Sequence, residues 1–334
     1  MNKLVIPARN IEVDYPSTWD EIGEKHAERI GEILHLAYMG KIDYDMARKL
    51  CIDRFLNRIN NPVKPTVGDK AWNYWANEGT LAGSVDFLFE IKKNYTNLDE
   101  LHEGAKGRNG EEAKGRKGKE AKGRKGDVST SLSNPETVSI NPKFCTQLVP
   151  RVKVGWRTYI GPKDLLADLT IFEFKEASWR IGKYAETLDD RYLDELFGVL
   201  YRREGLLRYA RNDRAKVRSC EGQSHRIART VPIGIKFMVY LFFLGCMNWM
   251  REESIEIDGK EICFGCLFPK ATPDPSKGGE KGEGDQTGMA GILFQMAESG
   301  VFGNMEQTSN VSMWDVFLRL YQIHWQIKNT NYTN

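Results

Sequence analysis

Apolar residues recur along this chain mostly at helical spacing, and they predict a mainly α-helical protein. Trp19, Ile22, His26, Ile30, Ile33, Leu34 and Ala37 fall on one face of a helix that ends near Gly40. Thr18 followed by Glu21 predicts its capping box. Asp43 is placed to cap a second helix, in which Ala47, Cys51, Phe55 and Ile59 repeat every four residues before Asn60-Asn61-Pro62 ends it. A third helix is predicted over 69–92, presenting Trp72, Trp75, Ala82, Val85, Leu88 and Phe89. Gly79 and Gly83 weaken it by about 1 kcal/mol each relative to alanine. These three helices make an N-terminal unit over 1–96.

Order is expected to resume near Phe144, with a short extended piece between Leu148 and Ile160. Thr170 and Glu173 form a second capping-box pattern, followed by Phe174, Ala177, Ile181 and Ala185. Leu188 to Tyr201 reads as a helix through Tyr192, Leu193, Leu196, Phe197 and Leu200. The most apolar run, Val231 to Trp249, is interrupted by Lys236. It predicts a buried core helix, not a membrane span. Ile255 to Ile262 alternates in period two around Asp258-Gly259, the pattern of a tight hairpin. Residues 144–268 thus form a central helical domain with a hairpin. A last helix begins near Ser312 and Asp315. Its two adjacent stripes are Met313, Phe317, Leu320, His324 and Ile327, and Trp314, Leu318, Tyr321 and Trp325.

Two stretches break the periodicity. Residues 97–143 hold three near-copies of an octapeptide (AKGRxG preceded by two mostly acidic positions), then a Ser/Thr/Asn-rich run. Too little apolar surface is present there to offset ordering entropy, so a disordered insert is expected. Residues 269–288 form a Gly/Pro-rich linker ahead of a C-terminal helical segment, 289–334. The predicted fold class is therefore mainly α, with helical bundle-like domains, a small β-hairpin and two disordered linkers.

Charge sharpens this picture only locally. The net charge is +2. The repeat carries nine Lys/Arg against five acids, and 202–229 carries nine against three, leaving a net −8 elsewhere. Two basic stretches on an acidic body can serve anionic partners. The repeat lacks any aromatic for stacking and reads as a tolerated insert. In the second stretch Arg208, Arg211, Arg214, Arg218 and Arg226 are candidate phosphate contacts, with Tyr209 available to stack. The competing reading is a solvated crossover between apolar helices.

No secretory signal pattern is present, so the six cysteines (51, 145, 220, 246, 263 and 266) are expected as reduced, mostly buried thiols. Cys263-Phe-Gly-Cys266 lacks the second ligand pair that structural zinc needs, which leaves two packed thiols beside Phe264 and Leu267. Asp168 with Glu173-Phe174-Lys175 resembles the metal-binding acid and E-x-K strand of restriction-type nucleases. Read as a strand, Ile171, Glu173 and Lys175 share a face. The capping box and helical spacing argue instead for a helix, which spoils that geometry. No cofactor or metal is implied.

In order, four stretches resemble an uncharacterised group of proteins encoded in prophage tail-morphogenesis loci, where tail assembly chaperones lie beside the tape-measure protein. They are Tyr15-Pro-Ser-Thr-Trp-Asp-Glu-Ile22; Val149 to Val152 with Gly161 to Phe174; Phe197 to Arg202 with Phe242 to Cys246; and Ala297 to Gly303. The resemblance implies a non-catalytic helical protein of the host cytoplasm that binds a tape-measure or other tail protein. It carries over no catalytic residue. Trp314, Phe317, Leu318, Tyr321 and Trp325, on the wide apolar face of the last helix, are the candidate partner contacts. The same face could complete the protein's own core. The alternative functions are nucleic-acid binding through Arg202 to Arg229 and, third, a Mg-dependent nuclease at Asp168, Glu173 and Lys175.

Overall fold

A computed structural model describes residues 1–6, 11–56, 79–92, 137–204, 228–257, 259–268, 294 and 296–330. Strand β1 (Asn2–Ile6) pairs antiparallel with β2 (Ile11–Tyr15). A short helical turn, Trp19–Glu21, leads into α1 (Glu24–Tyr38), and α2 (Tyr44–Phe55) follows. The capping box expected at Thr18 and Glu21 does not form. Glu21 instead accepts hydrogen bonds from the amide and hydroxyl of Ser17, both at 2.7 Å, and the long helix starts only after Gly23. Asp43 does cap α2, accepting from the Met46 N–H at 2.6 Å. Gly40 ends α1 with φ +66°, a conformation glycine adopts without strain.

The predicted third helix is not continuous. Residues 57–78 and Ile59 lie outside the described residues. Beyond Gly79 there is only a helical turn, then a tight turn at Asp86–Leu88 and strand β3 (Phe89–Lys92). β3 pairs antiparallel with β4 (Thr137–Ile140) from Phe89↔Ile140 to Lys92↔Thr137. Three β-branched residues in Thr-Val-Ser-Ile give β3 a partner that begins 45 residues beyond Lys92, and β4 falls within the span expected as insert. The octapeptide repeat and the 269–288 linker lie outside the described residues.

Residues 1–88 and 141–334 form one unit and 89–140 another. In the first unit, the extended piece expected before Ile160 is the hairpin β5 (Arg151–Val154) and β6 (Arg157–Ile160), extended by β7 (Arg202–Arg203). The main helices are α3 (Ile171–Thr187), α4 (Arg191–Leu200) and α5 (Ile233–Glu252). A hairpin of β8 (Ser254–Ile257) and β9 (Lys260–Cys263) follows, turning at Gly259 with φ +73°. Short α6 (Met305–Ser309) and long α7 (Met313–Thr330) close the described chain. The protein is mainly helical, with small sheets of two or three strands.

The core gathers on α5. By length and composition this helix could cross a bilayer, but 67% of its apolar window is buried inside the protein. Lys236, the charge in that run, is buried with its ammonium 2.5 Å from Asp194 on α4. Tyr38, Tyr184, Phe237 and Tyr240 cluster with ring centroids 5.0–6.4 Å apart, bringing α1, α3 and α5 together. At Gly245 the carbonyls of Pro142 and Phe144 lie where a side chain would stand. Trp19 stacks on Phe144 at 4.6 Å and donates to the Asn141 carbonyl. The stripes predicted for α1 and α4 are buried apart from half-buried His26 and Tyr192. On α3, Tyr184 takes the inward place expected of Ala185.

Candidate functional site

The last helix is anchored at one end and exposed at the other. Its entry strand forms a bridge to the start of α3: Ile171 N–H donates to Val311 O, and Met313 N–H to Leu169 O, each at 3.0 Å. Ser312 Oγ accepts from the Trp314 amide at 3.3 Å, a local cap that does not engage Asp315 as expected. Just upstream, Asn304 and Gln307 make a reciprocal capping box for α6 at 3.0 Å each way. Gly303, at φ +89°, leaves room for the Gln307 side chain to reach back. The Asn-x-x-Gln spacing carries that signal, although it did not figure in the sequence reading.

Most of the apolar face of α7 belongs to the core. Phe317 is 1% exposed and packs on Phe174, Phe264 and Phe268 at 5.3, 6.1 and 5.8 Å. Trp314 meets Trp249 and Phe264, and Tyr321 meets the edge of Phe264. Leu318 is half-buried. Of the five candidate partner contacts, only Trp325 stands out, 51% exposed with Lys328 over its ring at 5.9 Å. Ile327, one of the stripe residues, is 58% exposed. The stripe is therefore split: up to Tyr321 it completes the core, and from Gln322 most of it faces outward.

Phe264 is the inward anchor of the C-x-x-C segment. The tight turn Phe264–Leu267 points its ring at α7 and leaves both thiols outside. Cys263 and Cys266 are thus exposed free thiols, correcting the expectation that they pack. Cys51 and Cys246 are buried, Cys145 is half-buried, and Cys220 lies outside the described residues.

Thr170 and Glu173 form the predicted capping box, with Glu173 Oε2 accepting from the Thr170 amide at 3.0 Å. The Glu173 carboxylate is buried and paired with Arg202. Lys175 sits 3.2 Å from Glu176, and Asp168 Oδ1 accepts from the Lys163 amide. The segment is helical, so the shared strand face needed by the nuclease reading is absent. Among the described residues no cluster of three His, Cys, Asp or Glu side chains is placed to hold a metal ion. Arg208, Arg211, Arg214, Arg218, Arg226 and Tyr209 lie outside the described residues.

No family model, curated protein or solved structure matches this chain.

One exposed site had no counterpart in the sequence reading. The β5–β6 turn lifts Trp156 to 89% exposure beside Arg157, whose guanidinium lies over the indole at 5.3 Å. Alternation along β5 buries Val152 and leaves Arg151 and Lys153 exposed. The signal was present in Arg-Val-Lys-Val-Gly-Trp-Arg, a cationic hairpin with an aromatic at its turn.

Proposed function

We propose that the protein is a phage tail-assembly accessory factor that acts by binding, not by catalysis, in the host cytoplasm. Its partner is a tape-measure or other tail protein. In this reading a bundle-like helical body around α5 serves as the base, and the outer turns of α7 are the contact. One observation carries the reading: α7 is fixed to the body through Phe317 while Trp325 and Ile327 stand exposed beyond it. Exposed aromatic and aliphatic residues on an anchored helix suit helix-in-groove capture, since the helix loses little freedom on binding. The ordered resemblance of the four stretches to tail-locus proteins supports a tail protein as the partner.

The test is affinity capture of the full chain from phage-producing cells with nuclease added, read by mass spectrometry. Enrichment of a tail protein, lost on Trp325→Ala and on deletion of 322–334, supports the reading. Absence of any tail protein, or capture indifferent to both changes, overturns it.

A further inference from the structure

The Trp156 hairpin is an exposed site that the fold itself does not explain. Trp156 is the most exposed large apolar side chain among the described residues. Its ring is outside the core, and the turn needs only Gly155, which takes φ +60°. Arg203 on β7 is exposed and shares a sheet face with Arg157, whereas the exposed Arg151 and Lys153 on β5 lie on the opposite face. Among the described residues, none of Arg151, Lys153, Arg157 and Arg203 has a carboxylate partner. Elsewhere, Arg48, Arg180 and Arg202 are all paired with acids. Arg157 also keeps a buried Nε with no acceptor. The hairpin and β7 enclose an open cavity of about 280 Å³ lined by Trp156, Arg157, Thr158, Arg203 and Glu204. Glu204 is the one acid in that lining.

Two cations without a carboxylate partner beside one accessible indole call for an anion that also offers a flat apolar face. A peptide groove or a bilayer surface would be met by several apolar side chains, and here there is one. A duplex hides its base faces within the stack. A single strand presents both bases and phosphates. We propose that the β5–β6 hairpin binds single-stranded nucleic acid, with Trp156 stacked on a base and Arg157 and Arg203 on flanking phosphates. The site uses none of the arginines between Glu204 and Arg229 and does not depend on the tail-assembly reading.

The test is fluorescence anisotropy of labelled oligo-dT and oligo-U with the full chain, between about 50 and 200 mM salt. The two oligomers separate DNA from RNA as the natural strand. Binding is expected to weaken with salt at a log–log slope of about −1.4, from two contacts at about −0.7 each. Trp156→Ala should weaken binding about tenfold or more with little change in slope, and Trp156→Phe should restore most of the loss. Arg203→Gln should make the slope shallower by about 0.7. Unchanged thermal melting of these surface variants checks that they are folded. Equal binding by wild type and Trp156→Ala overturns the proposal, as does failure to bind either oligomer at the lower salt. Trp156-dependent binding to phosphatidylserine-containing vesicles without oligomer binding also overturns it, in favour of a membrane contact.

Discussion

Gly31 on α1 and Gly234 on α5 put two helix backbones in direct contact. A side-chain carbon built on Gly31 would overlap the Gly234 carbonyl and stand 2.6 Å from Met238 Cγ. One built on Gly234 would overlap the Glu28 carbonyl. This approach lets His35 and Tyr38 reach Phe237 at 5.2 and 5.5 Å, so the crossing sets the aromatic core.

Alanine at Gly31 or Gly234 gains about 1 kcal/mol of helix propensity. The clash is with backbone, which cannot rotate away, so overpacking of about 1–3 kcal/mol or more should win. Gly182 on α3 is the control, because nothing lies within 4 Å of its added carbon. Gly182→Ala is expected to stabilise by about 0.5–1 kcal/mol. Urea unfolding of the three variants checks the opposite signs.

The buried Lys236–Asp194 pair makes a second prediction. Asp194→Ala leaves an uncompensated ammonium in the core and should cost about 3–5 kcal/mol. Replacing both by Met and Leu should cost far less, because the desolvation of both charges is removed as well. A double-mutant cycle in denaturant measures the difference.

That pair also marks where sequence reading stops. Local signals read well: the Asp43 cap, the Thr170–Glu173 box and the hairpin turn at Gly259 each depend on residues within a few positions. Partners distant in sequence did not. Lys236 looked like a break in an apolar run because Asp194 is 42 residues away. Phe89 to Lys92 looked like the end of a helix because its strand partner begins at Thr137. The Thr18–Glu21 pattern misled because Ser17 competes for the same carboxylate. The face of α7 was visible, but only the packing of Phe264 shows where the core ends along it.

Acid should destabilise the protein in a window set by histidine. Burial holds the His35 imidazole below its usual 6.5, despite Asp190, whose Oδ1 lies 3.0 Å from Nε2. Burial, with Arg54 and Lys25 nearby, lowers His26 as well. Between the lowered folded values and about 6.5 the unfolded chain binds more protons, so stability is lost as pH falls through that range. Melting temperature should therefore decline below about pH 6.5, before ordinary carboxylates titrate. His35→Gln, which keeps a donor for Asp190, should flatten the decline. An unchanged slope in His35→Gln and His26→Gln would remove histidine as the cause.

Phe317 and Trp325, eight residues apart on α7, should separate stability from binding. Phe317→Ala empties a site 1% exposed among Phe174, Phe264 and Phe268 and should cost about 3–5 kcal/mol. Trp325→Ala removes a half-exposed ring and should shift stability by no more than about 0.5 kcal/mol. If α7 is the contact, the second variant loses tail-protein capture while melting like wild type. Should Trp325→Ala instead melt several degrees lower, the outer turns of α7 are packed in solution and cannot serve as a free docking face.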